Sequence, residues 1–144
     1  MKAGAATASR CAALAVVVPW LILMQAPTQA ARADTILAPD PARGAALYAA
    51  RCGACHAIDD NGAGPRHRGL FGRRAGTQPG YDYSPALRAS GLTWNRDTLD
   101  RWLADPAALV PGSRMFVQLA DSTQDRADIL EWLRVATQGR APRD

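Results

Sequence analysis

Cys52-Gly53-Ala54-Cys55-His56 decides how this chain is read. Two thiols at i and i+3, followed at once by an imidazole, form the spacing that attaches haem c covalently and ligates its iron. Residues three and four apart share a helix face, so Cys52 and Cys55 can reach one haem edge while His56 turns a ring nitrogen toward the metal. Two other chemistries use a Cys-x-x-Cys pair. A redox dithiol normally sits in a strand-helix-strand context, and none is discernible. A structural zinc needs four ligands, and besides the motif the chain offers only His67 and scattered carboxylates. Haem c, one per chain and bound through two thioethers, is the expected cofactor.

Upstream of the motif, Lys2 and Arg10 precede an uncharged run at residues 12–24, and Ala31-Arg32-Ala33 supplies the small-x-small pattern of a signal-peptidase site. Such a run is shorter than the roughly twenty residues that span a bilayer, which argues against an uncleaved anchor. A mitochondrial transit peptide would be amphipathic and serine-rich, whereas this run is uniformly apolar. The expectation is a signal peptide at residues 1–33, cleaved after Ala33 on export by a bacterium, and one periplasmic domain at residues 34–144 with no permanent membrane insertion.

Cleavage changes the composition in ways that matter. Cys11 leaves, so the odd thiol is accounted for, and Met1 and Met24 leave, so Met115 becomes the sole methionine. Losing Lys2, Arg10 and Arg32 leaves 14 arginines against 13 acidic residues, so the pI of 9.4 for the whole chain misstates the mature protein. No basic run or aromatic-interleaved patch remains to suggest a nucleic-acid partner.

The remaining length fits one domain. Asp40 before Pro41 reads as an N-cap with proline at the first helical position, opening a helix through Leu47 and Tyr48 that delivers the motif. Residues 58–83 show almost no periodicity but contain six glycines and two prolines. A structureless stretch of that length is unusual in a compact domain unless it wraps something, and a haem disc is such a thing. Ser84-Pro85 then opens a short helix closed by Gly91. A further helix begins near Asn95 and stops before Pro106, with Leu99, Trp102 and Leu103 inward. The last starts at Ser122-x-x-Asp125, a capping-box-like signal, puts Ile129, Trp132, Leu133 and Ala136 on one face, and ends at Gly139. No alternating apolar run supports a strand, so the fold class is all-α.

An iron held by His56 needs a second ligand from the opposite side. Val110-Pro111-Gly112-Ser113-Arg114-Met115 is a loop with a thioether at its tip. A lone methionine is usually core filler, but its uniqueness and its place in a loop favour Met115 as the sixth ligand. His67 is the rival donor. Its tether of eleven residues from His56 makes the opposite iron face awkward to reach, and it reads as an ordinary loop histidine near the haem edge. No paired acids and no nucleophile with its base suggest catalysis, so an enzyme is not expected.

Gly64-Pro65, Gly69-Leu70-Phe71-Gly72-Arg73, Gly80-Tyr81-x-Tyr83, Gly91-x-x-Trp94, Leu103-x-x-Pro106, Val110-Pro111-Gly112-x-x-Met115 and Arg126-Ala127-Asp128-Ile129 follow one another along the chain. Together with the haem motif this series resembles the class I cytochromes c, in the branch shared by mitochondrial cytochrome c and soluble bacterial cytochromes. The resemblance implies a cytochrome c fold, with helices and long loops wrapped around one covalently attached haem. It implies that Pro65 accepts the proximal histidine's N–H, that Arg73, Tyr83 and Trp94 surround a propionate, and that Gly44 and Tyr48 pack on the last helix. It implies that Ser113 lies near the methionine ligand. A monomeric one-electron carrier is implied, its iron cycling Fe(III)/Fe(II) between periplasmic or respiratory-chain complexes such as a quinol:cytochrome c oxidoreductase and a terminal oxidase. The alternative is a dedicated electron-transfer subunit of one dehydrogenase or sulfur-oxidising enzyme.

Departures from the family pattern are specific. Leu87 stands where the mitochondrial proteins carry asparagine, and Trp102 where they carry a distal tyrosine. Ala107 and Ala108 replace lysines of the haem edge, leaving Arg51 and Arg114 as a reduced positive rim. Val117 replaces an aromatic, although Phe116 lies one residue earlier.

Overall fold

The computed structural model describes residues 37–138. The expected leader, its expected cleavage site and the helix end expected at Gly139 lie outside them. Five helices occur in the described residues: α1 (Pro41–Arg51), α2 (Pro85–Ala89), α3 (Arg96–Ala104), α4 (Pro106–Leu109) and α5 (Thr123–Thr137). No strand forms among the described residues; the nearest thing is a single antiparallel bridge between Arg74 and Thr93.

The helix starts follow their caps. The Asp40 carboxylate accepts the Ala42 and Arg43 amides at the head of α1, and Pro41 supplies the preset φ of the first position. The Ser84 hydroxyl accepts the Leu87 amide at α2. Asn95 and Thr98 cap α3 reciprocally. Helix α4, not anticipated from the sequence, is a single turn started by Pro106 and capped by the Asp105 side chain. At α5 the start is where the sequence places it, but the Ser122 side chain makes no capping bond. Asp125, the other half of the expected box, is instead engaged by the Arg43 guanidinium. A tertiary ion pair has displaced the local motif.

Helices α1 and α5 cross in close contact. A Cβ on Gly44 would lie 2.0 Å from the Asp128 carbonyl oxygen and 3.0 Å from Trp132 Cβ, so only glycine permits this approach. Tyr48 stacks on Trp132 with ring centroids 4.4 Å apart. Beside the crossing, the buried Asp128 carboxylate accepts from the Asp40 amide, Gln124 Nε2 and the Arg43 guanidinium. The pair of helices thus forms a platform, and Ile129, Leu130 and Leu133 carry its apolar face inward.

The long loop is held by backbone bonds rather than by helix or sheet. The Gly64 amide donates to the Cys55 carbonyl, His67 to Ala57, Arg68 to Ile58 and Gly69 to Thr137. Farther on, Gly72 donates to Trp94, Trp94 to Arg73 and Ala75 to Leu92, which ties the Arg73 segment to the strand-like approach to α3. These bonds satisfy the buried backbone of a segment that has no periodic structure of its own.

Candidate functional site

The haem motif begins where α1 stops. Cys52 is the C-cap, and the Cys55 and His56 amides both donate to the Cys52 carbonyl at 3.0 and 2.9 Å. The motif therefore occupies one further turn rather than the helix proper. That turn still brings both thiols and the imidazole to one side of the chain.

A cavity of about 430 Å³ opens there, with Cys52, Cys55, His56 and Pro65 on its wall. Arg73, Tyr83, Trp94 and Met115 line the same cavity. All eight sequence-predicted site residues thus share one space. Between them the lining is largely apolar, including Leu70, Leu87, Leu99, Leu103 and Ile129. Leu87, in the place of a family asparagine, adds hydrocarbon to that wall.

His56 is fixed on three sides. Its Nδ1 lies 2.8 Å from the Pro65 carbonyl, which orients the ring and leaves Nε2 available to a metal. A Cβ on Gly64 would come within 2.2–2.6 Å of three ring atoms, which places the glycine backbone against one face of the imidazole. The other face is stacked by His67, with centroids 4.3 Å apart and planes 21° from parallel. Burial lowers the His56 pKa against the opposing pull of the Pro65 bond, so the ring is neutral and able to ligate.

His67 is the residue whose place the sequence did not reveal. It lines the same cavity and packs between His56 and Tyr48, with its Nδ1 3.1 Å from the Tyr48 hydroxyl. Burial, then repulsion from His56 and Arg73, pushes its pKa down to about 3. Only the fold-back of the loop onto α1 creates this neighbourhood.

On the distal wall, Trp102 Nε1 donates to Met115 Sδ at 3.0 Å. The indole is itself held against Trp94, with centroids 5.4 Å apart. Met115 is half-buried, and the loop carrying it turns at Gly112, whose φ of 87° suits glycine. The Ser113 hydroxyl reaches the Pro106 carbonyl at 3.5 Å.

At the end of the cavity the Arg73 guanidinium donates to the Arg68 and Arg66 carbonyls and to Gln78 Oε1, all neutral acceptors. No carboxylate among the described residues forms an ion pair with it. Burial lowers its pKa, and the charge of nearby Arg66, whose own Nε is buried without an acceptor, adds to the effect. A half-buried cation whose partners are all neutral suits an anion. Gln78, buried and unmarked in the sequence, is part of this arrangement.

The competing readings of the two thiols fare poorly. Burial, then Cys55, pushes the Cys52 thiol up to about 11, the reverse of what a reactive dithiol requires. Among the described residues no three His, Cys, Asp or Glu side chains gather to hold a metal ion.

An imidazole, a thioether, two thiols beside an apolar cavity and a cation awaiting a carboxylate together fit haem c, and the comparisons agree. The family described as cytochrome c matches residues 41–137. This chain belongs to the cytochrome c family. Cytochrome c2 of Rhodomicrobium vannielii is 39% identical over 104 residues, covering 70% of this chain and 82% of the relative. Cytochrome c of Stellaria longipes is 37% identical over 101 residues, covering 68% and 94%. Among solved structures, cytochrome cH from Methylobacterium extorquens has a TM-score of 0.63 at 42% identity and covers 67% of this chain and 98% of that one. The protein is accordingly a monohaem class I c-type cytochrome with the all-α cytochrome c fold and one covalent haem c. It is an electron carrier rather than an enzyme.

Around the cavity mouth, the reduced positive rim is weaker than its residue count suggests. Arg114 Nη1 donates to the Asp82 carbonyl at 3.0 Å and to its carboxylate at 3.2 Å. Arg51 forms no ion pair among the described residues. Phe116 is 86% exposed and, with Val117, lies on the lining of the cavity. No helix among the described residues is long and apolar enough to cross a membrane.

Proposed function

We propose that this cytochrome is a diffusible one-electron carrier of the bacterial periplasm, with haem c joined to Cys52 and Cys55 and its iron held by His56 and Met115. The observation that carries the reading is the pairing of two oriented donors on one apolar cavity: His56 set by the Pro65 carbonyl, Met115 by the Trp102 indole. Bound haem c supplies the one-electron Fe(III)/Fe(II) couple.

The chain's own residues set the conditions for that couple. Pro65 accepts the Nδ1 proton and makes His56 a more basic ligand. Met115 as a ligand would favour the reduced state, because thioether ligation raises the potential. The hydrocarbon walls would keep water from bound haem c, while Arg73, with Tyr83 and Trp94 beside it, would compensate a propionate. With His56 and Met115 both serving as ligands of bound haem c, no donor position would be left for a substrate, in keeping with a carrier.

Export with cleavage after Ala33, a monomeric state, and exchange with a quinol:cytochrome c oxidoreductase and a terminal oxidase complete the proposal. Oxidised and reduced absorption spectra of wild type and Met115→Ala test it. The wild type is expected to show the weak far-red sulfur-to-ferric-iron band and to exclude carbon monoxide. The variant is expected to lose the band, fall in potential and admit carbon monoxide. An unchanged spectrum in Met115→Ala would refute Met115 as ligand.

A further inference from the structure

Four rings form a continuous column behind the proposed proximal ligand. Trp132 of α5 packs on Tyr48 of α1 at 4.4 Å, Tyr48 meets His67 edge-on at 5.7 Å, and His67 stacks on His56 at 4.3 Å. Within it the Tyr48 hydroxyl and His67 Nδ1 are 3.1 Å apart, a hydrogen bond that fixes the His67 ring. The His67 backbone is fixed as well: its amide donates to Ala57 at 3.0 Å, and its carbonyl accepts from Leu70 at 2.9 Å.

The Pro65 hydrogen bond alone holds one atom of His56 and leaves a swing of the ring about that contact weakly opposed. Gly64 blocks that swing on one face, since its backbone sits directly over the ring. His67 blocks the other. A leucine would fill similar space, but it could neither present a flat face nor accept or donate a hydrogen bond to Tyr48.

We propose that His67 is a positioning residue of the proximal side, wedged between Tyr48 and His56 so as to lock the plane of the iron-binding imidazole and keep a polar ring against that ligand. The plane of that imidazole determines how its orbitals overlap the metal's and so shapes the magnetic signature of the ferric state. The polar ring favours the more highly charged oxidised state over what a hydrocarbon would allow. The inference rests on His56 being the proximal ligand.

Ferric electron paramagnetic resonance g-values, the pattern of hyperfine-shifted haem methyl resonances, and the midpoint potential of the holoprotein read these effects. His67→Leu is expected to shift the g-values, reorder the methyl resonances and raise the potential. His67→Phe keeps a flat face and is expected to restore the g-values and methyl pattern but not the potential. Tyr48→Phe serves if the His67 variants do not mature, and is expected to displace the methyl pattern partway. Wild-type g-values, methyl pattern and potential in His67→Leu, with only thermal stability reduced, would show that His67 merely fills space. The same follows if Tyr48→Phe leaves all three unchanged. Should the wild type itself lack a low-spin histidine/methionine signature, the ligand assignment fails, an outcome separable from any effect of His67.

Discussion

Replacing Trp102 by phenylalanine removes one indole N–H from the distal wall and leaves an aromatic ring in its place. That N–H donates to Met115 Sδ at 3.0 Å, and its removal returns lone-pair density to the sulfur. A richer thioether stabilises ferric iron, so the potential falls. A net hydrogen bond is worth about 1 kcal/mol, and a thioether is a weak acceptor. Taking about half to all of that as the difference between oxidation states, with ~59 mV per tenfold change for one electron, gives a fall of about 20–40 mV. Phenylalanine is also smaller, and the void it leaves should cost about 1–2 kcal/mol of stability. Leu103→Ala, in the same wall, makes a void without touching the donor and so isolates the packing effect. Spectroelectrochemical titration of the three proteins, with thermal unfolding alongside, supplies the comparison. A Trp102→Phe potential within about 10 mV of wild type, a smaller change than the bond energy predicts, would refute the argument, as would an equal fall in Leu103→Ala.

Four further outcomes are expected. Gly44→Ala places a methyl 2.0 Å from the Asp128 carbonyl and should destabilise the fold by about 3 kcal/mol, read as a lowered midpoint in guanidinium, with the visible spectrum intact at low denaturant. Burial raises the Asp128 pKa, but the Asp40 amide, Arg43 and Gln124 outweigh it and the net shift is downward. A depressed folded-state pKa gives stability that is present above the ordinary aspartate value of about 3.9 and lost as pH falls through the folded value. The stability gap between wild type and Asp128→Asn should therefore be constant near neutrality and shrink below about pH 4; a gap unchanged at pH 3 would exclude this origin. Cys52→Ala/Cys55→Ala, lacking the attached group that the cavity encloses, should unfold without a cooperative transition by calorimetry. Arg51→Glu should slow electron transfer to the physiological partner and weaken its salt dependence, whereas Arg114→Glu should do less because Asp82 already offsets that charge.

Much of this molecule is legible along the chain because its signals are local. The haem motif, the Asp40, Ser84 and Asn95 caps, and the inward spacing of Leu99, Trp102 and Leu103 depend on neighbours within a few residues, and the helices form where those signals fall. The order of glycines, prolines and aromatics from Gly64 to Met115 points to the family for the same reason. What the sequence could not supply are the contacts between segments far apart. Asp125 carries a capping signal, yet the tertiary structure gives it to Arg43, because an ion pair across the α1–α5 crossing competes with the local bond. Arg114 counts as a free cation until the fold sets it beside Asp82. His67 has no periodic or motif signal at all. Its burial between Tyr48 and His56 arises only when a loop without secondary structure is folded back by its own backbone hydrogen bonds onto the helix that carries the haem motif.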